Sequence, residues 1–338
     1  MNQHMKKVSI GITVYNQAHY IGQAVESALA QDYPNLEVVV SDNHSTDAIG
    51  GAMSRYLHDP RVRYFRNDQN IGMIANARKA LYEYSSGDLA LHLDGDDYLI
   101  DDKYISKAVD LIEQHRLVMV FARLKAFYEK ENLLVEDKVN SNLPQIIDGN
   151  WFFLHFYKGY SLPTLTILHD RHEAMKLGFF EKDIRSSDWE GFLRLVVTHK
   201  IGFIDEFVWV WRRHGQNETM KQNFDTLMSN IEYIESPYRY VLSKNIFPKE
   251  VALKWRRLML KRYFARNLVT AVIIRNRDLE KKYHDYLRQY DVGVYHSLRR
   301  DIRFRVLMMM AGNRVLIRFI FKHVFGQESF AKDFDFVG

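Results

Sequence analysis

Apolar, β-branched runs alternate with stretches of helical spacing through the first hundred positions of the chain. Val8 to Tyr15 is such a run and ends at Asn16, which predicts a buried strand. Ile21 to Gln31 has helical spacing, and Pro34 and Asn35 turn the chain into a second buried strand, Leu36 to Ser41, closing on Asp42. Ser45-Thr46-Asp47 then reads as the start of a helix reaching Leu57. Val62 to Phe65 predicts a third strand, Gly72 to Tyr84 a helix and Leu89 to Leu93 a fourth strand. Strands and helices in this order predict a parallel sheet flanked by helices, an α/β fold. Beyond it, residues 102 to 115 read as a helix, Val118 to Tyr128 as a strand and Glu129 to Asn142 as a charged loop or insertion. A mixed region runs to about residue 215, and helical periodicity dominates from Phe224 to the end.

The 338 residues suit one large α/β domain of roughly 200 to 250 residues with an appended segment. We divide the chain into residues 1–220 and a helical, basic region 221–338, with the break inside the first part near residue 100. There are no cysteines, which excludes disulfides, thiolate zinc sites and cysteine nucleophiles and fits a reducing compartment. Met1 to Lys7 is polar and leads straight into the first strand, so no secretory signal is expected. The most apolar late stretch is interrupted by Arg314, Arg318 and Lys322, so no membrane span is expected either. A cytoplasmic location follows.

Charge is unevenly spread. Residues 251–325 carry 18 lysines and arginines against 5 acidic residues, a local balance of +13, so the net +5 of the chain leaves −8 elsewhere. Trp255-Arg256-Arg257, Lys261-Arg262-Tyr263-Phe264 and Arg303 to Met310, followed by Arg314 to Phe325, interleave basic and apolar residues. Such helices suit an anionic membrane surface, here the inner face of the plasma membrane, within reach of a lipid-linked acceptor. They equally suit packing on the rest of the chain or an oligomer contact. No nucleic-acid module accompanies the charge, so no nucleic-acid partner is expected.

In parallel α/β sheets, ligands sit at the carboxyl ends of the strands. Asn16, Asp42 to Asp47 and Asp94 to Asp97 each lie just past a predicted strand, so three segments deliver polar groups to one edge. In extended chain Asp94 and Asp96 face the same side, and Gly95 leaves room for close approach. Three acids in four positions repel one another unless a cation sits among them, and Mg²⁺ or Mn²⁺ bridging carboxylates and a diphosphate suits this. An isolated Asp-x-Asp is otherwise a solvated acidic turn. Asp42 can accept hydrogen bonds from a base or ribose, whereas Ser45 or Asp47 reads more simply as a helix cap.

Four motifs in order, Ile12 to Asn16, Ser41 to Asp47, Asn70-Ile71-Gly72 with Ala75 to Arg78, and Leu93 to Asp97, resemble family 2 of the inverting glycosyltransferases with the GT-A fold. The resemblance implies a single nucleotide-binding sheet and a nucleotide-sugar donor, a UDP-sugar in the first place, held by Thr13, Tyr15, Asn16, Asp42 and the segment around Arg78. Asp94 would touch ribose or sugar, and Asp96 would bind the metal. Ser187-Asp188-Trp189-Glu190 is similar to the family's acidic motif and makes Asp188 the base, although Ser187 stands where an acid is usual. Asp188 also reads as a helix N-cap, and Glu190 as a fallback base or a first-turn charge. Asp97, Trp189 and Glu190 fall on the acceptor side. Arg212-Arg213-His214 resembles the basic segment after the last strand, with His214 on metal or diphosphate, and Arg78 reads alternatively as a helix-surface residue paired with an acid.

These assignments imply transfer of a sugar to a hydroxyl of a glycan or lipid-linked glycan by one displacement, in polysaccharide or lipopolysaccharide assembly. Two other classes stay open. A nucleotidyltransferase would share the sheet but would want a glycine-rich basic loop, which Val8 to Asn16 lacks. A sugar-binding protein without catalysis could keep the sheet and lose the base.

Overall fold

The computed structural model describes residues 5–136, 140, 142–215, 217, 223–311 and 313. Strands β1 (Val8–Val14) and β2 (Leu36–Asp42) are buried at every position, as parallel strands covered on both faces must be. With β3 (Val62–Arg66) and β4 (Leu89–Asp94) they form a parallel set in the order β3-β2-β1-β4. Helices α1 (Ile21–Leu29), α2 (Ile49–Ser54), α3 (Met73–Lys79) and α4 (Tyr104–His115) lie between or beyond these strands in sequence. α1 turns Ile21, Ala24, Val25 and Ala28 into a core shared with Ile10, Ile12 and Val38. Register sets Val14 opposite Asp42 and Thr13 opposite Asp94, so the polar strand ends stand side by side.

The sheet continues past β4 and is mixed there. β9 (Leu168–Asp170) runs antiparallel between β4 and β6 (Met119–Tyr128). β10 (Lys200–Arg213) runs parallel to β6, with bulges around Phe207. β5 (Tyr98–Leu99) and β8 (Ile146–Asp148) pair antiparallel with β10, and β7 (Leu133–Glu136), in the stretch read as a loop, pairs with β6. Helices α5 (Gly149–His155), α6 (Arg171–Lys176) and α7 (Ser187–Val196) complete this part.

Ser45 and Asp47 do not cap α2, which starts after Ala48 with no side-chain cap. The Ser45 hydroxyl accepts the Asn16 N–H at 2.9 Å and the Asp47 carboxylate accepts the Ala18 N–H at 2.8 Å. Both hold the loop after β1, whose backbone donors compete for the same short side chains.

Glu37 is buried between β1 and the 85–87 turn. It takes Lys7 Nζ at 2.8 Å, the Ser9 hydroxyl at 2.5 Å and the Ser86 N–H at 2.6 Å. Burial alone would raise its pKa, but these hydrogen bonds outweigh it and bring it down to about 2. A depressed carboxyl stabilises the fold above its unfolded pKa, and that support is lost as pH falls toward about 2. Glu37→Gln is expected to cost about 1–3 kcal/mol at neutral pH, read by urea unfolding, with the gap to wild type closing in acid.

Contacts divide the chain into two compact units, one of Met1–Leu134, Ser141–Phe153 and Leu162–His214, the other of Val135–Asn140, Leu154–Ser161 and Gly215–Gly338. In the second, α8 (Phe224–Ser229), α9 (Glu232–Ser243), α11 (Arg277–Tyr290), α12 (Val292–Arg300) and α13 (Ile302–Ala311) accompany the long α10 (Lys249–Ile273). Part of the basic charge of α10 is half-buried and paired within the unit, while Lys249, Lys254, Arg257 and Arg266 are exposed. Arg256 is chelated by Glu235 at 2.8 and 2.9 Å and by Asp291 at 2.7 Å, and Arg262 donates to the Phe156 carbonyl at 2.9 Å. Trp255, Leu260 and Phe264 on the same helix are core. Arg256 and Arg262 with their aromatic neighbours therefore pack within the unit, as one of the two readings expects. Arg314 to Phe325 lies outside the described residues. Among the described residues, no helix is long and apolar enough to cross a membrane.

Candidate active site

The strand ends of β1, β2 and β4 are locked by short polar side chains. Asn16 has φ +54°, a conformation Asn tolerates better than most residues, and its Oδ1 accepts the Thr46 N–H at 2.8 Å. Asp42 is buried and fully engaged, accepting the Ser45 N–H at 2.8 Å and the Tyr64 hydroxyl at 2.7 Å, with Arg66 at 3.5 Å. It holds the turn after β2. Asn76 bonds both the Ser41 hydroxyl and the Ser41 carbonyl, and Asn43 receives the Ile71 N–H at 2.9 Å. The Asn70-Ile71-Gly72 motif thus clamps the start of α3 to the end of β2. Thr13 points its hydroxyl toward His92 at 3.4 Å, while Tyr15 is exposed.

Carboxylate oxygens of Asp94, Asp96 and Asp97 lie within 4.8 Å of one another. A Cβ on Gly95 would come within 2.8 Å of Val14 and Gln17, so packing alone already requires a glycine here. Asp96 is buried and hydrogen-bonds His214 Nε2 at 2.8 Å across 118 positions of sequence. The His214 ring stacks on Tyr20 at 4.9 Å, and the Arg212 guanidinium sits over the same ring while donating to the Asp96 carbonyl at 2.9 Å. Asp97 is buried, receiving the Arg212 N–H at 2.8 Å and the Trp209 indole N–H at 3.2 Å from β10.

Burial pushes the Asp96 carboxyl above its ordinary pKa, with Asp94 adding to this and the His214 bond opposing it. Burial, followed by the Asp96 and Asp94 charges, pushes Asp97 well above its own. Strain of this kind at Asp96 and Asp97, with the Asp94 carboxylate beside them, is what a divalent cation relieves, so the donor set fits a hard ion.

Asp188 lies in the first turn of α7, two residues past Ser186, which flanks the helix. It is therefore not the N-cap. Its oxygens accept the Thr164 hydroxyl at 2.5 Å and the Trp189 N–H at 2.8 Å. Burial raises its pKa, opposed by those two bonds and by His92, and supported by the charge of Asp94. Asp188, His92 and Asp94 are thus near enough to act on one another. Glu190 is wholly buried and paired with Arg194 at 2.7 Å, which removes it as a fallback base; Trp189 is half-buried.

Beside this group opens a cleft of about 410 Å³, lined by Ile71, Ile74, Ala75, Arg78, Phe180, Glu181 and Asp183. Arg78 lies over Tyr82 and 3.7 Å from Glu181, so it both pairs with an acid and lines the cleft. Phe180 holds φ +60°, a strained conformation for an aromatic residue, with its ring 6.0 Å from His92.

A family model described as glycosyl transferase family 2 matches residues 9–185, more than half of the chain. The chain belongs to glycosyl transferase family 2. Chondroitin synthase of Pasteurella multocida is 30% identical over 233 residues, covering 66% of this chain and 22% of that relative. An Escherichia coli relative described as UDP-Glc:alpha-D-GlcNAc-diphosphoundecaprenol beta-1,3-glucosyltransferase WfaP is 29% identical over 175 residues, 52% of this chain and 65% of its own. This glycosyl transferase family 2 chain thus spans less than two thirds of either relative. The S. aureus TarS 1-349 structure in complex with UDP-GlcNAc aligns with a TM-score of 0.65 at 16% identity, covering 98% of this chain and 89% of that one, a likeness of fold. Family membership takes away the support for a nucleotidyltransferase.

Sequence reading of this family 2 chain missed His92, Arg212 as a clamp, Thr164 and the Phe180–Asp183 wall. His92 carried a signal, being polar in an apolar strand and two positions before Asp94, hence on the same side. Its Nε2 lies 3.1 Å from Asp94. Thr164 carried none, because nothing in its neighbourhood sets it apart from a loop threonine.

Proposed function

We propose that the chain transfers a sugar from a nucleotide-sugar donor, a UDP-sugar in the first place, to a hydroxyl of a glycan or lipid-linked glycan, inverting the anomeric centre in a single displacement. The observation that carries this is the convergence of a desolvated carboxyl, Asp188, with His92 and the Asp94–Asp97 cluster beside an open cleft. Asp188 takes the acceptor proton at its carboxylate as the oxygen attacks, the work of a general base with a raised pKa. Thr164 and the Trp189 N–H fix that carboxylate in place. Thr13, Tyr15, Asn16 and Arg78 line the donor side, with Asp42 acting through the turn it holds and Asp94 on ribose or sugar. Asp96, with His214, would hold a Mg²⁺ or Mn²⁺ ion that stabilises charge on the leaving diphosphate.

Relatives named for chondroitin and for a diphosphoundecaprenol-linked sugar support a glycan or lipid-linked acceptor, in polysaccharide or lipopolysaccharide assembly. The reaction belongs in the cytoplasm, in keeping with a cysteine-free chain. A panel of nucleotide sugars, each with and without Mn²⁺, tests the donor side by thermal shift. With Mn²⁺, a matching UDP-sugar at about a hundred times its Kd is expected to add about 2.7 kcal/mol of stability, and much less without metal. No shift with any nucleotide sugar would remove the proposal.

A further inference from the structure

We infer that the outer face of α12 and α13 docks on an anionic lipid surface. α13 is apolar on two opposite sides. Phe304 and Ala311 are buried on one, while Ile302, Val306 and Met309 are exposed at 71, 47 and 83%. The three exposed residues follow at i, i+4 and i+7, so they form one stripe along the helix. A helix in water keeps such a stripe polar unless something covers it. Arg305 and Arg303 flank it on either side, and Arg299 and Arg300 at the end of α12 are exposed as well. Residues 292–311 hold four arginines against one acid, Asp301, which Lys261 engages at 2.6 Å and Arg303 approaches at 3.7 Å.

An apolar stripe edged by arginines matches a bilayer interface, where side chains enter the acyl boundary and guanidinium groups meet phosphate. A second copy of the chain fits less well, because a two-fold contact would set these arginines against themselves. The chain's own residues 314–325 carry Arg314, Arg318 and Lys322 with no acid and offer the stripe no complementary charge. Residues 326–338, with Glu328, Asp333 and Asp335 among three phenylalanines, are the rival occupant. A chain ending at residue 325 that binds vesicles where the full chain does not would assign the stripe to them. Nucleic acid would leave the exposed isoleucine, valine and methionine without a partner. The inference stands on this surface alone and is independent of catalysis.

Flotation of the full chain with vesicles of phosphatidylcholine, with or without about one-third phosphatidylglycerol, tests it. Binding is expected to the anionic vesicles and to weaken with salt. Arg303→Glu with Arg305→Glu, and separately Met309→Glu, are expected to lower partitioning at least about tenfold. Both variants sit at exposed positions, so melting temperature and donor-induced thermal shift should stay at wild-type values. Equal binding to neutral vesicles, or binding untouched by either variant, would overturn the inference. So would a dimer in light scattering that Met309→Glu dissolves while no vesicle is bound.

Discussion

Asp188→Asn is expected to lower turnover by about 100- to 10,000-fold while leaving donor binding nearly unchanged. The amide is the same shape, and its oxygen keeps one of the two hydrogen bonds that Asp188 accepts from Thr164 and Trp189. The Thr164 hydroxyl can rotate to accept from the new N–H₂, so the helix start stays in place. Only the capacity to take a proton is lost. Initial-rate kinetics with a donor, beside calorimetric titration of the same donor, separate the two effects. Burial raises the Asp188 pKa, so the wild-type base is lost to protonation at a higher pH than an ordinary aspartate would be. The acid limb of the kcat profile should therefore lie above the usual carboxylate range and vanish from the residual activity of the variant. Wild-type turnover by purified Asp188→Asn protein would end the assignment.

Asp96→Ala is the second large effect, expected to weaken Mn²⁺-dependent donor binding by at least about 100-fold and to abolish transfer. Asp96 is where the cluster, the His214 imidazole and the Arg212 clamp meet, so no neighbour can replace its oxygen. Chelation of the wild-type protein should give the same loss, reversed by Mn²⁺, whereas the variant should gain nothing from added metal. Metal-free donor binding, carried by groups such as Thr13, Tyr15 and Arg78, should be alike in both proteins. A variant still stimulated by Mn²⁺ would move the ion to Asp94 and Asp97.

The parallel core was legible because strand and helix periods are local. Val8 to Asp94 reads as four strands and three helices, and the residues past each strand fall on one edge whatever the rest of the chain does. What the polar residues at that edge do was less legible. Ser45 and Asp47 have the composition of helix caps, and only their distance from Asn16 and Ala18 turns them into loop anchors. Asp97 and Glu190 look like exposed acids in sequence, yet β10 and Arg194 take them into the interior.

Sequence alone determined the α/β order, the strand-end acids and the place of Asp188 at the start of a helix, all of which depend on neighbours a few positions apart. Only the tertiary structure decided which distant groups meet: Asp96 with His214, Asp188 with Thr164, His92 with Phe180, and the cleft wall from Phe180 to Asp183. It also sorted the basic residues of the second unit, half-burying Arg256 and Arg262 against their partners and leaving Arg303 and Arg305 exposed. A charge in sequence carries no record of its burial, because burial depends on what packs against it from elsewhere in the chain.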